Sequence, residues 1–228
     1  IATTIRGADA ETLAKLKALP KNEDVMAAAM KRIATVVGQA GVNTALPKGG
    51  LTAALPSSVK GSKGGDPKPF LHAYLAYMGN VPELEKAARG HGFFTIGNEP
   101  DGLVRRVPLV TRIGKDIRPA LTVEMLRAAF GGKIIFTKQN QAGLTHVSLQ
   151  TPQGAFDIPV DGKGRIWVHF AKPDPYNTPN NSGRLYVSAG DIIKGRVPKE
   201  KLAGRIFLVG TSAVGLLDIW ATPIAGRL

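Results

Sequence analysis

Gly92-Phe93-Phe94-Thr95-Ile96-Gly97-Asn98-Glu99-Pro100-Asp101-Gly102-Leu103-Val104-Arg105-Arg106-Val107-Pro108-Leu109 sets two apolar runs about a polar break. The runs, His91 to Gly97 and Leu103 to Ile113, have the composition of strands. In the break, proline brings a fixed φ, aspartate a side chain that caps its own backbone, and glycine a positive φ. The stretch predicts a β-hairpin. Pro108 has no N–H for a ladder, so its strand is expected at a sheet edge or a bulge.

The same pattern recurs downstream. Phe156 to Val160 is expected to pair with Arg165 to Phe170 across Asp161-Gly162-Lys163-Gly164. There Ile166, Val168 and Phe170 alternate with Arg165, Trp167 and His169, the period of a strand with one dry face. Upstream, Asp9 is placed to cap a helix carrying Leu13, Leu16 and Leu19, which Pro20 stops. Asn22 is expected to cap a second helix, with Glu23 and Asp24 in its first turn and Val25, Met26, Ala29, Met30 and Ile33 as its apolar stripe. Thr35-Val36-Val37-Gly38 reads as a buried strand, and residues 47 to 69, rich in glycine and proline, as an irregular loop.

Residues 82 to 89 predict a short helix opened by Pro82. Pro119 opens another with Leu121, Met125 and Ala129, closed by Gly131-Gly132. Lys133 to Phe136 follows as a strand, and Ser188 caps a short helix ending at Gly195. Ile206 to Val209 is an apolar run suited to a strand covered on both faces. The sum is an α/β fold: a mixed β-sheet with helices on its faces and two β-hairpins, in a single domain without internal repeats. Its parts are residues 1–47 (helices and a strand), 48–90 (loop and short helix) and 91–228 (the main body).

Composition narrows the function. The chain has 228 residues, 43% of them hydrophobic, enough for a sizeable core. It carries 30 basic against 17 acidic residues, a net charge of +13. Phosphate neutralisation would use such a charge, yet the lysines and arginines are scattered, and only 6% of residues are aromatic for base stacking. A solvated basic surface facing an anionic envelope is the expectation, with no nucleic-acid partner. Cysteine is absent, which removes disulfides, thiolate zinc sites and cysteine nucleophiles. No stretch reaches the roughly 18 apolar residues of a membrane span. Ile1 in place of a methionine, and an apolar end at Leu228, lead us to expect a soluble piece of a longer protein.

Catalytic motifs fail on inspection. Gly210-Thr211-Ser212-Ala213-Val214-Gly215 after an apolar run resembles a phosphate loop, but Leu216 and Leu217 stand where lysine and a hydroxyl residue are needed. A nucleophile elbow would need glycine at Val214. The four histidines, His72, His91, His146 and His169, show no metal-ligand spacing, and neither a metal nor another cofactor is expected. Asn180-Asn181-Ser182 matches a glycosylation sequon and equally an ordinary polar loop.

The adjacent arginines carry the sharpest inference. Arg105 and Arg106 on one strand point to opposite faces, so at least one guanidinium is partly buried and needs a carboxylate. Asp101, Asp161 and Asp218 are the expected partners. Two readings stay open: a self-paired turn, or an anionic-ligand site on the arginine left unpaired. The candidate ligand-binding residues are accordingly Asn98, Asp101, Arg105, Arg106, Asp161 and Asp218, with none catalytic.

Several pieces now align in order: Asp101 to Leu109, Ile158-Pro159-Val160-Asp161, Ser188-Ala189, Ile192-Ile193-Lys194-Gly195, Leu202 to Ala213, Asp218 and Thr222-Pro223. Together they resemble the second CHASE family, extracellular sensor domains attached to bacterial nucleotide cyclases and histidine kinases. The similarity is weaker over residues 13 to 47. It implies a domain with no enzymatic role of its own, at the periplasmic or extracellular face of the bacterial inner membrane. An unknown small-molecule or envelope ligand would act on a cytoplasmic output domain of the same chain through transmembrane helices. That output is expected to be a nucleotide cyclase before a histidine or serine/threonine kinase, with homodimerisation as a further expectation. The competing expectations are a secreted hydrolase with a long-range site and a structural dimerisation module.

Overall fold

The computed structural model describes residues 9–44, 58–97, 99–170, 187–210 and 221–224. Its elements begin with helices α1 (Ala10–Ala18) and α2 (Asn22–Met30), then strands β1 (Val36–Val42), β2 (Val59–Lys63), β3 (Ala73–Tyr74) and β4 (Ala76–Met78). Helix α3 (Pro82–Ala87) leads to β5 (Gly90–Phe93), β6 (Arg106–Pro108), β7 (Val110–Ile113) and β8 (Asp116–Pro119). Helix α4 (Leu121–Ala129) precedes β9 (Ile134–Asn140), β10 (Gly143–Thr151), β11 (Gly154–Pro159) and β12 (Arg165–Trp167), and α5 (Ala189–Ile193) comes last. These fall into two compact units, residues 1–95 with 108–164, and residues 96–107 with 165–228. The mixed α/β class expected from the sequence holds.

The first unit contains sheets of order β4-β1-β5, β11-β10-β9-β2 and β3-β7-β8. Pairing is mixed: β1 runs parallel to β5 and antiparallel to β4, and β9 runs parallel to β2 and antiparallel to β10. Ile135 on β9 and Val147 and Leu149 on β10 are fully buried. Each contributes about 1.5–3 kcal/mol by leaving water. Helix α4 closes over β1 and β5, and its approach depends on glycine. A Cβ at Gly92 would lie 2.4 Å from the Leu121 Cα and 2.7 Å from its nitrogen. Ala27, Met30 and Ala87 form a smaller core between α2 and α3, backed by Val37 and Leu84.

The second unit holds the β12–β6 pair, a parallel bridge between Leu103 and Ala221, α5, and a 3-10 turn at Lys199–Lys201.

Several local expectations hold. The Asp9 carboxylate accepts the Thr12 N–H at 2.7 Å and caps α1. Pro82 opens α3, and Gly195 takes a φ of 67° just past α5. Others are corrected. Neither expected hairpin forms: β5 pairs with β1, β11 pairs with β10, and β12 pairs with β6. Their turns are satisfied by local hydrogen bonds, so the flanking strands are free to find partners elsewhere. Of the expected loop 47–69, Val59–Lys63 is a strand on the edge of β9. Residues 47–57 of that loop lie outside the described residues.

Asn22 is already inside α2, where Lys21 is the capping residue, and the buried face there is Ala27 and Met30, with Val25, Met26 and Ile33 exposed. On α4 the buried residues are Val123, Glu124 and Ala128, one step round from the expected stripe of Leu121, Met125 and Ala129. Pro119 ends β8 instead of opening that helix. Ile206 to Val209 forms no strand and is exposed, Val209 to 96%. Four apolar residues do not make a covered strand without a neighbour on each side.

Candidate functional site

The turn between Glu99 and Arg106 carries two ion pairs. Gly102, with a φ of 78°, donates its N–H to the Glu99 carbonyl at 2.8 Å, and Glu99 donates to the Leu103 carbonyl at 3.2 Å. The Arg105 fork donates to both Asp101 oxygens at 2.9 and 2.7 Å. Arg106 does the same to Glu99 at 2.7 and 2.8 Å, and its guanidinium carbon lies 5.1 Å from the centroid of the Trp167 ring. Fork-to-fork pairing of this kind is the strongest geometry open to a guanidinium at a surface.

The Arg105 hydrogen bonds, helped by the Leu103 N–H, pull the Asp101 carboxyl from its ordinary 3.8 to about 2. Arg106 likewise holds Glu99 below its ordinary value, and Asp101 raises Arg105. Both arginines are therefore matched inside the turn. The sequence named Asp101 as a partner but missed Glu99, whose only signal is its place on the near side of the same turn.

Asn98 and Asp218 lie outside the described residues. Asp161 belongs to the first unit, where its carboxylate accepts the Lys163 N–H at 3.0 Å and its carbonyl the Gly164 N–H at 2.8 Å. It shapes that turn.

Two carboxylates are buried in the first unit, and both are heavily hydrogen-bonded. Glu85, 4% exposed, accepts from the Asn80 backbone at 2.6 Å, from the Asn80 amide at 3.2 Å and from Gln39 at 3.2 Å. His91 Nε2 stands 2.9 Å from the Glu85 carboxylate and 2.9 Å from its carbonyl. Two acceptors so placed require the proton on Nε2. Glu124 accepts from Ser58 at 2.6 Å and from Arg127 at 2.6 and 2.9 Å, while Arg127 also donates to the Gly132 carbonyl at 2.7 Å. Such pairs hold elements in register; the sequence reading singled out neither glutamate. Among the described residues no group of three His, Asp or Glu side chains is arranged to hold a metal ion.

The first unit also contains a cavity of about 310 Å³, lined by Asn43, Ala73, Tyr74, Leu75, Arg112 and Gly114. It lies where three strands end: Asn43 follows β1, Leu75 follows β3 and Gly114 follows β7. Hydrogen bonds from the Leu75 N–H to the Val42 carbonyl at 3.2 Å, and from the Gly114 N–H to the Tyr74 carbonyl at 3.3 Å, pin these ends together. Leu75 is also the link by which the chain leaves the β3-β7-β8 sheet for the β4-β1-β5 sheet. Open parallel α/β sheets bind ligands at the carboxyl ends of their strands, and this crevice shares that position at the ends of β1, β3 and β7.

The chain matches the CHASE2 domain family over residues 5–228 and belongs to that family of extracellular sensory domains. No curated protein and no solved structure matches it. Among the described residues, no helix is long and apolar enough to cross a membrane.

Proposed function

We propose that this domain is the extracytoplasmic ligand- or stress-sensing part of a bacterial transmembrane signalling protein. It stands at the outer face of the inner membrane and passes its conformational state through transmembrane helices to a cytoplasmic output domain. A nucleotide cyclase is the first choice of output, and a histidine or serine/threonine kinase the second. The observation that carries this reading is the family match along residues 5–228. The cavity supports it by offering a place where a ligand would bind one arrangement better than another. Moving an output from mostly off to mostly on takes about 5.5 kcal/mol of differential binding, so a defined pocket suits the task better than diffuse surface contact.

The test uses the full parent protein in its membrane. A reporter enzyme active only outside the cytoplasm, inserted at the exposed turn around Gly195, is expected to be active. Replacing this domain with an unrelated sensor is expected to abolish the response of the output to its native cue. A silent reporter, or an output indifferent to the exchange, overturns the reading.

A further inference from the structure

Arg112 is the unusual group in the cavity wall. Its Nε is closed off from solvent without a hydrogen-bond partner, and among the described residues no carboxylate or carbonyl takes a bond from its guanidinium. Other arginines of the chain are treated differently. Arg105, Arg106 and Arg127 each hold a carboxylate. Arg118, also unpartnered at Nε, stacks 5.5 Å from the Tyr77 ring centroid and has Asp116 at 3.7 Å. The unpartnered Nε costs free energy, and among the described residues the guanidinium has no carboxylate of its own to compete with an incoming anion.

We propose that this cavity is the ligand site of the domain and takes a small organic carboxylate. The acid head sits on Arg112 and Asn43, and the apolar body lies against Ala73, Tyr74 and Leu75. Three features support this ligand class. A guanidinium fork matches a planar carboxylate with two parallel hydrogen bonds. The walls beside it are apolar, which favours a hydrocarbon or aromatic body over a free inorganic ion. The volume of about 310 Å³ is at the lower end of the roughly 300–1,000 Å³ range of ligand pockets, which suits a small ligand.

The walls are also preformed. Tyr74 packs so closely on β1 that a Cβ at Gly41 would stand 2.6 Å from its ring, and His72 meets its edge with the ring centroids 4.7 Å apart. Burial raises the Tyr74 hydroxyl pKa, so it stays neutral beside an anion at any physiological pH. Leu75, 71% exposed, stands at the cavity mouth. The net charge of +13 steers anions toward the surface as a whole, and Arg112 supplies the local selection.

The proposal rests on the sensory reading for its biological meaning, so binding is measured apart from output. The 228-residue chain is titrated calorimetrically with acetate, butyrate, benzoate and inorganic phosphate at fixed ionic strength. Butyrate or benzoate is expected to bind at least about tenfold tighter than phosphate. Arg112→Ala is expected to weaken that binding by about tenfold or more. Leu75→Trp fills the mouth with the guanidinium intact and is expected to weaken it as much. Arg105→Ala, outside the cavity, is expected to leave it unchanged, and circular dichroism checks that each variant is folded.

The proposal is overturned if no carboxylate binds, if phosphate binds equally well, or if a folded Arg112→Ala and Leu75→Trp both keep full affinity. Any of these would leave the exchange of sensor domains in the parent protein free to succeed. Conversely, carboxylate binding with an output that ignores it would retain the site and sink the sensory role.

Discussion

Strand β6 begins at Arg106, Arg105 stands just before it, and each arginine has a carboxylate nearby, although the sequence set both on one strand with opposite faces. Asp101 fills the role for Arg105, as its neighbouring position suggested. Glu99 fills it for Arg106 because the turn folds back across Gly102, a geometry that spacing does not reveal. The consequence is measurable by acid titration. The Asp101 carboxyl titrates at about 2 in the folded chain against an ordinary 3.8. A depressed carboxylate pKa contributes stability above the unfolded value, which is lost as pH falls through the folded one. The window is therefore between about pH 4 and pH 2. A carboxyl-carbon NMR titration is expected to place Asp101 near 2 and to return it toward its ordinary value in Arg105→Ala; an unchanged midpoint in that variant would show the pairing to be incidental. Arg112 makes the opposite point. Thr111-Arg112-Ile113 looks like any strand, and nothing in it says that its arginine lines a cavity with an unpartnered Nε and no carboxylate among the described residues.

At the scale of elements, punctuation was legible and partnership was not. Asp9, Pro82 and Gly195 mark helix ends because caps and positive φ are decided within a turn of the chain. The two expected hairpins were wrong for a related reason: a favourable turn fixes its own residues without obliging the flanking strands to pair. Strand β2, with the sequence Val-Lys-Gly-Ser-Lys, carries no apolar alternation and exists by backbone pairing to β9. Gly61 belongs there because a Cβ would come within 3.1 Å of the Phe136 ring. Two substitutions test how the elements are held. Gly92→Ala drives a methyl into the backbone of Leu121 and is expected to cost about 1–3 kcal/mol in urea unfolding. Arg127→Ala leaves Glu124 buried without its counter-ion and is expected to cost about 3–5 kcal/mol. The exposed Arg196–Asp191 pair provides the control, where Arg196→Ala should cost less than about 1 kcal/mol. Equal costs for the two arginine variants would refute the structural role of the buried pair.

For the whole molecule, stability is expected to be uneven. Val147 is fully buried on β10, which pairs on one side with β9 and on the other with β11. Ile206 to Val209 are exposed and make no backbone hydrogen bond among the described residues. Amide exchange at Ile206–Val209 is expected to be roughly a thousandfold faster than at Val147; comparable protection at both would mean that the apolar segment is covered in solution. By itself the sequence determined the mixed α/β class, the helix ends marked by Asp9, Pro82 and Gly195, the lack of cysteine chemistry and, through the ordered pieces between Asp101 and Pro223, the sensory family. Those properties are local or additive along the chain. Only the tertiary structure decided which strands pair, which face of α4 is buried and that Arg112 has no carboxylate partner among the described residues. Each of these depends on groups brought close from distant parts of the chain, where the free energy belongs to the contact and not to either residue alone.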